Sequence, residues 1–93
     1  MVGLLTVHLH LPGCASLKEK RGRLHPLLAR LRREFNVSAA EVWLQNAHEE
    51  AIIACAAVNS DRRHLESSLQ VVARWIQANW PDGDVIRDRV ELI

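Results

Sequence analysis

Residues Val2–Leu11 alternate in character, with Leu5, Val7, Leu9 and Leu11 on one side and Leu4, Thr6, His8 and His10 on the other. A period of two is the signature of a strand. One of its faces is apolar enough to be fully buried, and the other only partly so. Pro12-Gly13 ends the segment. Whatever else the chain forms must cover the leucine face.

Ser16-Leu17-Lys18-Glu19 matches a capping box, in which the serine hydroxyl accepts from an early amide and the glutamate reaches back. From Leu17 to about Phe35, residues Leu17, Leu24, Leu27, Leu28, Leu31 and Phe35 fall within one arc of about 100° on a helical wheel. Gly22 and Pro26 interrupt this helix. A proline in a helix interior costs about 3 kcal/mol, so a kink or two helical pieces is expected. Asn36 is the expected C-terminal cap.

Val37–Leu44 alternates again, with Ala40, Val42 and Leu44 opposite Ala39, Glu41 and Trp43. Gln45–Glu50 is polar and reads as a loop. Ala51–Val58 is a continuous apolar run suited to a central strand covered on both sides. Asn59 or Ser60 is positioned to cap a second helix running to about Trp80, with Leu65, Leu69, Val72, Ala73, Ile76 and Trp80 as its stripe. After the Pro81-Asp82-Gly83 turn, Val85–Ile93 reads as a last strand, with Ile86, Val90 and Leu92 sharing a face.

The order is βαββαβ, in two halves of similar pattern. Its compact solution is an α+β ferredoxin-like plait, a four-stranded antiparallel sheet with both helices on one face and the first and third strands central. At 93 residues, 48% hydrophobic and 25% charged, the chain reads as one globular domain, residues 1–93. No apolar run approaches the ~20 residues of a membrane span. The N-terminal stretch lacks a basic segment and is broken by histidines, so no signal peptide is expected. Cys14 and Cys55 are accordingly read as reduced thiols in a cytoplasmic protein.

Net charge is only +1, but Ser16–Phe35 carries seven cations against Glu19 and Glu34, or +5, leaving −4 for the rest. One basic helix on a mildly acidic body suggests a surface that faces a polyanion. Lys18, Arg21, His25, Arg32 and Arg33 share an outer arc of about 120° beside the apolar stripe.

Ser16-Leu17-Lys18-Glu19-Lys20-Arg21, Arg30-Leu31-Arg32, Phe35-Asn36-Val37-Ser38 and Ala40-Glu41-Val42 resemble the YlxP-like family of small bacterial proteins. The similarity runs along nearly the whole chain and is most specific from Ser16 to Val42. The resemblance implies a ferredoxin-like fold, a cytosolic bacterial protein, and genes beside those of translation-initiation and ribosome-maturation factors. It brings no catalytic residues.

Two surfaces are therefore candidates. The first is the basic helix, where Lys18, Arg21, Arg32 and Arg33, with Lys20, Arg23 and Arg30 behind them, would neutralise phosphates of ribosomal RNA or the ribosome. The second is the open face of the sheet, displaying Thr6, His8, His10, Glu41 and Trp43 for a partner protein, a regulatory small ligand or another copy of the chain, a dimer being favoured. His8 and His10 point the same way, yet no third ligand follows at metal spacing, so no metal or cofactor is expected. The Pro12–Ala15 turn leads into a helix N-terminus, a place where anions bind, but its pattern is not a phosphate loop. Cys14 lacks a partner thiol three residues on, where Leu17 stands, and a neighbouring histidine in sequence. The expectation is a non-enzymatic protein.

Overall fold

A computed structural model describes all 93 residues. Six elements follow the βαββαβ order: β1 Val2–His10, α1 Leu17–Glu34, β2 Ser38–Trp43, β3 Glu50–Val58, α2 Arg62–Asn79 and β4 Asp84–Leu92. They form one antiparallel sheet in the order β2-β3-β1-β4, with β3 and β1 at its centre. The molecule is an α+β ferredoxin-like plait. Leu5, Val7 and Leu9 of β1, with Leu11 just beyond its end, join Ala51, Ile53 and Cys55 of β3 in a core closed by leucines of α1 and the stripe of α2. The stripe named from periodicity in α2 is buried as expected.

Only one face of β3 is covered. Ala51, Ile53 and Cys55 are buried, whereas Ile52, Ala54 and Ala56 remain half-buried on the open side. The continuous apolar run thus reflects an open face that is itself apolar rather than two covered faces.

Helix α1 is a single helix with Pro26 inside it, not two pieces. Burying Leu24, Leu27, Leu28 and Leu31 is worth roughly 1.5–3 kcal/mol for each side chain. That gain exceeds the ~3 kcal/mol a proline costs, and the leucines flank Pro26 on both sides. The helix ends at Phe35, one residue before Asn36; the Phe35 amide donates to Leu31 O at 3.0 Å. Helix α2 is capped by Asp61 rather than Asn59 or Ser60. Its side chain accepts from the His64 amide at 3.1 Å, and Asn59 Oδ1 in turn accepts from the Asp61 amide at 2.8 Å.

Two bulges separate the strands from simple alternation. In β2, Glu41 lies opposite Ile53 but Trp43 lies opposite Ile52, leaving Val42 as the extra residue. In β4, Arg87 pairs with His8 and Val85 with Leu9, so Ile86 is extra and stands 47% exposed. Val85, not Ile86, shares the inner face with Val90 and Leu92.

Two glycines have opposite spatial demands. A Cβ on Gly22 would meet nothing within 4 Å, whereas one on Gly83 would stand 2.1 Å from the His10 carbonyl oxygen. Gly22→Ala is expected to stabilise the protein by about 0.5–1 kcal/mol through helix propensity, and Gly83→Ala to destabilise it. Chemical denaturation of the two variants checks both. A loss at Gly22→Ala would show that glycine is needed one turn before Pro26.

Candidate binding surfaces

The seven cations of α1 divide into two groups. Lys20 is only 1% exposed. Its ammonium donates to Leu44 O at 2.7 Å and Ala47 O at 2.8 Å and pairs with Glu41 Oε2 at 2.7 Å. Three donors meet three acceptors. Glu41 Oε2 is shut off from water and has this ammonium as its partner. Arg32 lies along the edge of β2 and donates from Nε at 3.1 Å and Nη2 at 2.6 Å to Ala39 O. Arg23 reaches Pro12 O at 3.1 Å and Asp82 O at 3.4 Å. Arg30 stands 4.8 Å from the centre of the Trp75 ring, which packs edge-on against Phe35, and lies 3.7 Å from Glu34.

Lys20, Arg23, Arg30 and Arg32 therefore each have a partner within the fold; Lys20 is shut away from solvent, while Arg30 and Arg32 stay exposed. Lys18 and Arg21 have no protein partner, and Arg33 is exposed with only Glu34 within 4.0 Å. Lys20 was detectable in the sequence: it sits four residues before Leu24 and seven before Leu27, on the apolar stripe itself. Nothing in the wheel foretells Arg32, whose long stem lets its head reach across to β2.

A crevice of about 410 Å³ runs between α1 and β2. Leu24, Leu28 and Ala29 line it beside Arg21, His25 and Arg32, with Ala40 and Glu41 on the strand side. Its one carboxylate is the one paired with Lys20.

The turn before α1 uses its amides internally. Gly13, at φ 71°, donates to Glu49 Oε1 at 3.0 Å, and Ala15 donates to Glu19 Oε2 at 2.6 Å. The Ser16 hydroxyl accepts from the Glu19 amide at 3.1 Å, completing the capping box. The chain's own carboxylates stand where an outside anion would bind. The Ala15 hydrogen bond holds the Glu19 carboxyl below its usual pKa, with Cys14 and Arg23 adding to the effect against the opposing cost of desolvation. Cys14 is buried, its thiol 3.5 Å from Ser16 O. Burial pushes the Cys55 thiol up to about 11, against a smaller lowering effect of Arg32.

On the open face, the cross-strand registers align in rows. Trp43, Ile52, His8 and Arg87 form one row; Ala40, Ala54, Thr6 and Arg89 the next; Ser38, Ala56, Leu4 and Glu91 a third. His8 Nε2 lies 2.8 Å from Glu50 Oε1, and His10 Nδ1 lies 3.7 Å from Asp84 Oδ2. Glu41, expected on this face, is on the helix side with Ala39, because the buried Lys20 ammonium is its counter-ion. Trp43 does belong to the open face, through the bulge at Val42. Leu44, next in the chain, has φ 61°, a left-handed conformation that costs a leucine on the order of 1–3 kcal/mol. A groove of about 640 Å³ crosses the face, bounded by Trp43, Leu44, Ile52, Leu4, Arg87 and Arg89 among others.

Lys20→Met is expected to destabilise the fold by about 3 kcal/mol, since it strands a shielded carboxylate. Adding Glu41→Leu should restore part of that loss in chemical denaturation; a double variant as unstable as the sum of both changes would refute the pairing. For Cys55 the folded pKa lies above the unfolded one, so its contribution is whole below about pH 9 and is lost as pH rises towards 11. The thermal midpoint should fall less over that range in Cys55→Ala than in the parent.

A family model described as "Protein of unknown function (DUF503)" matches residues 2–89. The chain is also similar to "Uncharacterized protein YlxP" of Bacillus subtilis (strain 168). The two are 35% identical over 78 residues, covering 84% of this chain and 85% of that protein.

Proposed function

The chain belongs to the DUF503 family, and we propose that it is a non-catalytic accessory protein that holds RNA phosphates along the crevice between α1 and β2. The observation that carries this reading is the state of the charges there. Arg21 has no partner in the protein, and the crevice's only carboxylate is spent on Lys20. His25 and Arg32 line the same crevice, so the flank keeps a positive excess. Lys18 and Arg33 extend it over about 22 Å of helix at 1.5 Å per residue.

Arginines fixed on a helix suit phosphate oxygens, and phosphate contacts orient a protein without reading sequence. The crevice floor of Leu24, Leu28 and Ala29 supplies no donors or acceptors for base edges. Binding is therefore expected to be weakly sequence-specific. Ribosomal RNA is the candidate that the gene context implied by the family resemblance favours. The shielding of Cys14 and the raised pKa of Cys55 support a non-enzymatic role, because neither thiol is poised as a nucleophile.

The test is the salt dependence of binding to a ribosomal RNA fragment. Three contacts from Lys18, Arg21 and Arg33 should give a slope of log K against log salt of about −2 on single-stranded regions. Arg21→Glu combined with Arg33→Glu should cut affinity at low salt at least about tenfold, with the thermal midpoint nearly unchanged. Arg30→Glu, which loses the Trp75 contact, should lower the midpoint. Undiminished affinity in the double variant would overturn the proposal.

A further inference from the structure

A different surface carries a second, independent inference. We propose that the open face of the sheet is covered by a second copy of this chain, stacked sheet against sheet about a two-fold axis that runs along the strands. Trp43 of each copy then lies over Arg87 of the other.

The rows of the face carry the argument. A two-fold axis lying between the sheets, parallel to the strands and midway between β3 and β1, places β2 of one copy over β4 of the other and β3 over β1. Each row then meets its own reverse. Trp43 faces Arg87 of the partner subunit and Ile52 faces His8 of the partner subunit. Two rows on, Ala56 faces Leu4 of the partner subunit. In the middle row Ala40 and Ala54 stand against Arg89 and Thr6, and in the third Ser38 stands against Glu91. In these two rows the small side chains lie on β2 and β3, and the larger ones on β1 and β4. Reversing the face on itself sets small against large throughout these two rows, while an aromatic ring meets a guanidinium in the first.

Charge points to the same occupant. Arg87 and Arg89 stand against three carboxylates, Glu50, Glu91 and Asp84, and Glu50 is also the partner of His8 at 2.8 Å. A face with no positive excess offers a nucleic acid strand little counterion release, and its interspersed charges of both signs suit a surface that must match itself. Trp43 is 61% exposed and Leu44 40%, and the chain departs from simple alternation at Val42 to put Trp43 there. Four strands about 4.8 Å apart and about 30 Å long give an area of roughly 500 Å² per copy. The two copies together reach about 1,000 Å², the lower end for a specific interface, so the dimer should be concentration-dependent.

Sedimentation equilibrium across micromolar to millimolar protein tests this. The parent chain is expected to pass from the mass of one copy to that of two. Trp43→Glu and, separately, Ala54→Arg should each remain at one copy while keeping the parent's circular dichroism. Two variants guard against one failing to fold. A parent that stays monomeric throughout overturns the proposal, as does a dimer that survives both substitutions. Quenching of Trp43 fluorescence by an RNA oligonucleotide, without any dimer, would assign the face to nucleic acid instead. Because Arg21 and Arg33 lie on the opposite side of the sheet, their charge reversal should leave the dimer intact, so a failed dimer and a failed RNA contact remain distinguishable.

Discussion

The buried ammonium of Lys20 is the interaction on which the two surfaces depend. Removing a cation from water costs several kcal/mol unless its donors are satisfied, and here each donor has a close acceptor: Glu41, Leu44 O and Ala47 O. The arrangement ties the middle of α1 to the end of β2 and to the turn beyond it. It draws Glu41 under the helix, and it anchors the carbonyl of Leu44, the one non-glycine residue with a left-handed backbone. With Glu41 drawn inward and Leu44 fixed, Trp43 is left outside.

The same helix shows that one count of charges covers two kinds of residue. Of its seven cations, four serve as structural donors or stacking partners and three face water without a strong partner. Arg32 on Ala39 O occupies an edge carbonyl of β2 and Arg23 ties the β1–α1 turn to the turn before β4. Bonds to charged donors reach roughly 1.5–3 kcal/mol when shielded, and the exposed pair of Arg23 contributes less. They give the basic composition of α1 a structural explanation as well as a functional one.

The strands, helices and their order were legible because the leucine face of β1 and the stripes of both helices repeat with clear periods. Ends and bulges were less so. Asn59, Ser60 and Asp61 are three adjacent capping types, and composition does not say which one caps. At Val42 and Ile86 the residue types continue as if alternation held, while one extra residue shifts its neighbours along the strand to the other face. That is why simple alternation assigns Glu41 and Trp43 together to the open face, although only Trp43 lies there. At Pro26 the structure excludes two separate helical pieces: the local cost is real, but the leucines on either side outweigh it.

Native-state hydrogen exchange on Lys20→Met tests the role of the buried ammonium most directly. If Lys20 organises this turn, the Ala47 amide, which donates to Leu44 O at 3.0 Å, should lose far more protection than the amides of Leu5 and Ile53 in the central strands. Trp43 fluorescence should report a changed environment alongside it. An equal loss at all three amides, or a turn as protected as in the parent, would contradict the assignment of Lys20 as the anchor of β2 and of the face that Trp43 presents.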